Sequence, residues 1–367
     1  MEEEKHLGFR EFVPPQKRRL LITAGAFVLI LSLYLALSCF MLYNDKVSDA
    51  GGLKADREFS EQVGESVASV IEGATMVTCG TYIENIEAIS LRNSEYTVVF
   101  EVWFSWYGET AFDFTQFARL YKGTVAHMEI LTDYHEGNEH YQRLRVKANV
   151  SEDFWTRRFP LDSHRLSLYI ESEYPISQVV LVPDYENSGV NEDLSVPGYR
   201  LQSSNLEQFF MNYENTRSDP TMLGEPVTSE VVTDLFISRD GFGLYVRCFV
   251  ALIGTITWVM ITLYINTYHH VDPLGMIPGA LFGTVSNVLV GANLLPDALQ
   301  LGLLEFVNFY GVLIILLSAV SIISVNRIRR KYEDNDFAKY FGRVMFVILL
   351  FFAISGNILL PAISYSV

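Results

Sequence analysis

The stretch "FWTRRFPLDSHRLSL", Phe154–Leu168, decides how this chain is read. Proline fixes φ and stiffens the chain at Phe159–Pro160, and an acid, Asp162, follows two residues on. From His164 the residues alternate between apolar and polar, the period of a strand with one buried face. A rigid turn carrying a carboxylate therefore runs straight into a β-strand. Such a turn suits the end of a β-domain, where its acid can hold a partner charge.

Four other segments share the strand pattern: "EYTVVFEVWFSW" (Glu95–Trp106), "YQRLRVKANV" (Tyr141–Val150), "SQVVLVPD" (Ser177–Asp184) and "VTSEVVTDLFIS" (Val227–Ser238). Together with "HRLSLYIES" (His164–Ser172) they are rich in β-branched and aromatic residues and are separated by Gly, Asn and Asp turns. Strands at this spacing predict a β-sandwich. Glu58–Glu72, "EFSEQVGESVASVIE", is predicted as a helix leading into the first strand.

The ends of the chain are of another kind. Half of the 367 residues are hydrophobic and 13% are aromatic, too apolar for an ordinary soluble domain. Crossing about 30 Å of hydrocarbon takes roughly 20 helical residues. Leu20–Tyr43, Cys248–Tyr268, Pro273–Pro296, Ala298–Val325 and Val344–Val367 are each long and apolar enough. Lys17, Arg18 and Arg19 precede the first, and Arg327, Arg329, Arg330, Lys331, Lys339 and Arg343 lie between the last two. Basic flanks stay in the cytoplasm. The N-terminus is thus expected inside, the β-domain outside, and the protein in a plasma membrane. The expected organisation is a cytoplasmic tail (1–19), an anchor helix (20–43), an extracytoplasmic β-domain (44–243) and a four-helix domain (244–367) with a cytoplasmic loop at 326–343. "ALSC" (Ala36–Cys39) is similar to a lipoprotein box, but its leading Leu is replaced by Ala and the apolar run continues. An uncleaved anchor is expected, and modification of Cys39 is left open.

The net charge of −16 speaks against a nucleic-acid partner, which needs a basic face. Cys39 and Cys248 lie in apolar runs and Cys79 has no evident partner, so no disulfide framework is expected. The chain carries no G-x-S-x-G, P-loop, H-E-x-x-H or paired-Cys motif, so no enzyme activity and no cofactor are expected.

"DFWTRRFPLDSHRLSLYIE" resembles the signature loop of the pentameric ligand-gated ion channels, the Cys-loop receptor family, without its flanking cysteines, as in prokaryotic members. "GTYIENIEAISLRNSEYTVVFEVWFSW" is similar to that family's first two strands. "FISRDGF" (Phe236–Phe242) is similar to the last strand and the base before the pore domain, and "NVLVGANLLPDA" (Asn287–Ala298) to the end of the pore helix and its following loop. The resemblance spans roughly residues 75–367 and leaves the anchor helix outside the common pattern. It implies an extracytoplasmic immunoglobulin-like β-sandwich plus a four-helix transmembrane bundle, preceded by one extra transmembrane helix, assembled as a homopentamer in the lipid bilayer. It also implies a coupling interface of Phe159, Pro160, Asp162, Arg239, Asn293 and Pro296, with Asp162 and Arg239 as a salt bridge, and an agonist site near Trp106, Tyr174 and Tyr213.

By the same resemblance, His270, Leu274, Pro278, Leu281, Val285 and Val288 line a pore. Above His269, His270 and Asp272 the stripe is wholly apolar, and a hydrophobic constriction gates by dewetting. Gly275, Gly279 and Gly283 repeat at four-residue steps, read first as close helix packing and second, with Pro278, as a gating kink. Arg247 stands near the start of the first channel helix, where relatives usually have proline. The stimulus is expected to be an unknown small ligand, protons or a divalent ion. Asp184, Glu186, Glu192 and Asp193 offer hard oxygen donors for calcium. "DYHEGNEHY" (Asp133–Tyr141) has the residue types of a zinc site, but its Gly-Asn turn favours a hairpin tip with solvated charges. Glu305 is a functional candidate as an acid within an apolar helix. The alternative function is a non-conducting receptor or scaffold that binds a partner through the extra helix or the cytoplasmic segments.

Overall fold

The computed structural model describes residues 9–114, 120–212, 227–239, 241–269, 271–295 and 301–365. They form two compact units. The helical unit comprises Met1–Lys46, Thr156–Asp162 and Gly241–Val367, and the β unit comprises Val47–Trp155 and Ser163–Asp240.

Among the described residues the β unit contains ten strands: β1 (Thr75–Ser90), β2 (Glu95–Tyr107), β3 (Leu120–Tyr121), β4 (Gly123–Glu136), β5 (Glu139–Ser151), β6 (Ser163–Glu171), β7 (Val179–Pro183), β8 (Gly189–Val190), β9 (Tyr199–Asn212) and β10 (Val227–Arg239). All five segments that alternate in sequence are strands. One sheet has six strands in the order β4-β5-β2-β1-β7, with β8 also on β1. The other has four, β3-β6-β10-β9. The first is mixed, because β7 and β8 run parallel to β1. In β5 the alternation turns Leu144, Val146, Ala148 and Val150 inward. Arg143 forms an ion pair with Glu101 on the adjacent β2, and Arg145 and Lys147 reach past it to Glu84 and Glu87 on β1.

Both sheets bury one shared core. It draws Val77, Phe100 and Phe104 from the first sheet and Leu166, Ile170, Val231 and Leu235 from the second. Burying each such side chain stabilises the fold by about 1.5–3 kcal/mol. Two polar ties cross the core: the Tyr96 hydroxyl donates to the Ser167 carbonyl at 2.8 Å, and the Thr81 and Thr233 hydroxyls meet at 2.7 Å. A smaller cluster of Val63, Ile176, Val180 and Val227 joins a helix to the β unit.

That helix is α1, Pro14–Ile71. It is longer than the expected 20–43 anchor and takes in most of the segment expected as a separate helix at Glu58–Glu72. No proline interrupts it after Pro15. Its residues Pro14–Asp45 are apolar enough to span a membrane, as are those of α2 (Gly243–His269), of α4 (Leu303–Tyr332) up to Lys331, and of α5 (Asn335–Tyr365). Between α2 and α4 lies a shorter apolar helix, α3 (Ile277–Leu294), preceded by a 3-10 turn at Leu274–Met276. Among the described residues, four helices are therefore long and apolar enough to span.

The boundaries near the end of the chain also differ from expectation. Residues 326–343, expected as a loop, are almost wholly helical, and only Glu333 and Asp334 separate α4 from α5. Glu333 ends α4 with a positive φ of 50°. The charged residues here are good helix formers, so the backbone stays helical after the apolar run stops.

Candidate functional site

In the helical unit, α1 lies against α4, and Phe12 just before it lies against α5. Leu20, Phe27, Leu31, Leu35, Ser38, Leu42 and Asp45 are buried at three- to seven-residue steps. The Tyr34 hydroxyl donates to the Phe306 carbonyl at 2.9 Å, and its ring stacks on Tyr310. Phe12 packs on Phe337 and Tyr340. The extra helix is thus a built part of its own bundle.

The segment that opened the sequence reading belongs to the same unit. Thr156–Arg158 forms a 3-10 turn, the Phe159–Pro160 peptide is cis, and Phe159, Pro160, Leu161 and Asp162 are buried. The backbone of this turn rests on the start of α4. A Cβ on Gly302 would meet the Arg157 carbonyl oxygen at 2.5 Å, so only glycine fits there. The Arg157 guanidinium pairs with Asp45 of α1 at 2.5 Å. Glu305 accepts the Gly302 N–H at 2.8 Å, so this acid caps the first turn of α4.

The stripe assigned to a pore lies on α3. Ile277, Ala280 and Thr284 are buried. Pro278, Val285 and Val288 are exposed, and Leu274 and Leu281 are half-buried. Phe282 and Leu289 are also exposed. Gly283 is in close packing: a Cβ there would meet the Thr255 hydroxyl of α2 at 2.4 Å, whereas Gly275 and Gly279 have nothing within 4 Å. The close-packing reading of the three glycines therefore holds at Gly283 alone within one chain. His270 and Pro296 lie outside the described residues, as does the side chain of Asn293.

In the β unit, Trp106 and Tyr174 belong to one aromatic cluster, joined through Phe112 and Phe114. Trp106 is 4% exposed and part of the core. Tyr213 lies outside the described residues. Arg239 donates to the Gly198 carbonyl at 3.2 Å, and its guanidinium lies 3.8 Å from the Tyr199 ring centroid.

The loop with carboxylates suited to calcium is organised from within. Asp184 accepts from Trp103 Nε1 at 3.0 Å and from the backbone and side chain of Asn187. Burial pushes its pKa up, but these donors outweigh that and hold it below the usual carboxylate value. Among the described residues no three His, Cys, Asp or Glu side chains gather as a metal site.

Two polar clusters stand apart from these sites, the first of them unanticipated in the sequence. Glu171 and Glu230 face each other across β6 and β10, 3% and 1% exposed. Thr228 donates to Glu171 at 2.7 Å. Glu230 Oε1 is buried and has no hydrogen-bond partner among the described residues. Burial, and then the neighbouring Glu171, push the Glu230 carboxyl up to about 8. The other cluster sits at the end of the core. His140 stacks on Trp106 at 5.0 Å and meets His135 at 2.6 Å. Gln142 accepts the Phe114 N–H at 2.8 Å and donates to Asp133 at 3.0 Å. The hairpin expected at Asp133–Tyr141 forms, but His140, at 5% exposed, is not solvated. Alternation in "HYQRLRV" already places His140 and Gln142 on the core face of β5.

No protein-family model matches this sequence, and no curated protein matches it.

Proposed function

We propose that this chain is a homopentameric ligand-gated ion channel of the plasma membrane, the bacterial inner membrane, with its N-terminus in the cytoplasm. The β unit is an extracytoplasmic immunoglobulin-like β-sandwich, and α2–α5 are the pore domain. The observation that carries this reading is the lopsided exposure of α3. It is a short apolar helix, held on one side by Ile277, Ala280 and Thr284, with Pro278, Val285 and Val288 left uncovered on the other. Five such faces around an axis make an apolar lumen, which closes by dewetting. Support also comes from the Phe159–Asp162 segment, which belongs to the helical unit and directly follows the Thr156–Arg158 turn that rests on the start of α4.

In this reading a small ligand, protons or a divalent ion acts on the β unit. The Phe159–Asp162 segment passes the change to α4 and so to the loop before it, and α3 tilts. Leu281 is the gate. The test is ion flux into liposomes holding the purified protein, wild type beside Leu281→Ser, with native mass to count subunits. Flux on stimulation, or constitutive flux in Leu281→Ser, supports the channel. Silence from both in an intact oligomer refutes it and favours a non-conducting receptor or scaffold.

A further inference from the structure

His135 of β4 and His140 of β5 stand directly opposite each other in the hairpin, with their Nδ1 atoms 2.6 Å apart. His140 Nε2 lies 3.0 Å from the Gly108 carbonyl. His135 Nε2 lies 3.1 Å from Asp133 Oδ1 and 3.5 Å from Gln142 Nε2. A carbonyl and a carboxylate only accept, so His140 Nε2 carries a proton toward Gly108 and His135 Nε2 one toward Asp133, the shorter of its two contacts, while the Gln142 amide gives its own N–H to Asp133. The two Nδ1 atoms need one proton between them. Three protons on two rings is one more than two neutral imidazoles hold. The pair is therefore complete only with a single positive charge, set beside Asp133. With two protons, a lone pair is left facing an acceptor. With four, two N–H groups collide.

We propose that His135 and His140 form a single proton-binding site, and that its occupancy sets the seating of the segment Gly108–Phe114. Three contacts of the cluster hold that segment: Gly108 O on His140, Thr110 O on Trp106 Nε1 at 3.0 Å, and Phe114 N on Gln142. The proton comes from solvent, because the His135 side chain is 34% exposed. The charged and titratable groups around the pair are Asp133 and Glu136 on β4, the latter bonded by the Tyr134 hydroxyl, and Glu139 on β5. The segment itself adds Glu109 and Asp113, and the Asp113 N–H reaches the Tyr174 hydroxyl. A metal does not fit between the rings: zinc binds each nitrogen at about 2.0–2.1 Å in tetrahedral geometry, which sets two ligand nitrogens well over 3 Å apart. The site stands whether or not the chain conducts ions.

The test is amide hydrogen exchange of the full chain in lipid nanodiscs from pH 5 to 9, the range in which histidines change charge. Rates at Gly108–Phe114 are divided by the chemical exchange rate at each pH. In wild type, protection is expected to fall at least about threefold as the site loses its proton. His135→Gln keeps a donor for Asp133 but cannot charge, and should give a flat profile. Asp133→Asn removes the carboxylate that favours the cation, and should move the transition to lower pH. His127→Gln, on the exposed part of β4, should behave as wild type. A flat wild-type profile, or a transition that survives His135→Gln, overturns the proposal. Should His135→Gln not fold, an unshifted transition in Asp133→Asn overturns it.

Discussion

Asp45 of α1 and Arg157 of the β5–β6 connection form an ion pair of 2.5 Å, with the carboxylate side chain 2% exposed and the guanidinium 29% exposed. The pair joins the end of the apolar part of α1 to the turn that rests on α4. Removing one partner strands a buried charge, the costly way to break such a pair. Arg157→Met is expected to destabilise the protein by about 1–3 kcal/mol, read as a lower melting temperature in detergent. Adding Asp45→Asn should restore part of the loss. Simple additivity of the two changes would show that the pair contributes nothing as a pair.

Gly302 is tied to the same turn. Gly302→Ala drives a methyl group into the Arg157 backbone, which cannot move aside as a side chain could. A loss of about 1–3 kcal/mol is expected, as for an overpacked core site. Gly279→Ala meets nothing in its own chain and should gain up to about 1 kcal/mol of helix propensity. If Gly279→Ala instead breaks the oligomer on native mass measurement, α3 packs against another subunit at that position.

Glu230 makes stability depend on pH. Its carboxyl is raised to about 8 from the ordinary 4.5, so the folded chain holds the proton more tightly than the unfolded one. Its contribution is fully present below pH 4.5 and is lost as pH rises through about 8. Glu230→Gln, which cannot ionise, should melt higher than wild type at pH 9 and close to it at pH 5. Identical melting of the two proteins at pH 9 would mean that Glu230 is ionised without penalty.

Asp184 is expected to serve the loop rather than a cation. Its donors are Trp103 and Asn187. Asp184→Leu should cost about 1 kcal/mol for the lost hydrogen bonds. Millimolar calcium should leave the wild-type melting temperature where EDTA leaves it. A calcium-dependent rise would signal binding to the folded state and restore the metal reading of this loop.

Strands with one buried face were legible in the sequence, because side-chain alternation is itself the signal. β2, β5 and β6 were read this way, and β10, read from the same pattern, is instead buried on both faces along most of its length. β4 and β9 were not: β4 is exposed along most of its length and β9 has the polar run Gln202–Asn205. Helix ends were misplaced for a different reason. Hydropathy marks where apolar side chains stop, whereas hydrogen bonding carried α4 on to Tyr332 and started α5 at Asn335. Of the site residues, His140 and Gln142 could be placed from the period of β5. Their partners Asp133, Phe112 and Phe114 needed the register between strands. Glu171 and Glu230 needed it too, since nothing local in either strand says that the other lies opposite.

The two-residue link between α4 and α5 restricts what this end of the bundle can present to a neighbour. Glu333 and Asp334 are too few to fold over a surface or to reach toward one. Anything that recognises the molecule here must read rigid helix termini, with Arg330 already engaged by Asp272. Foreign sequence spliced between Glu333 and Asp334 would therefore report directly on the spacing of two helices, which makes this junction a natural place for a tension or distance reporter.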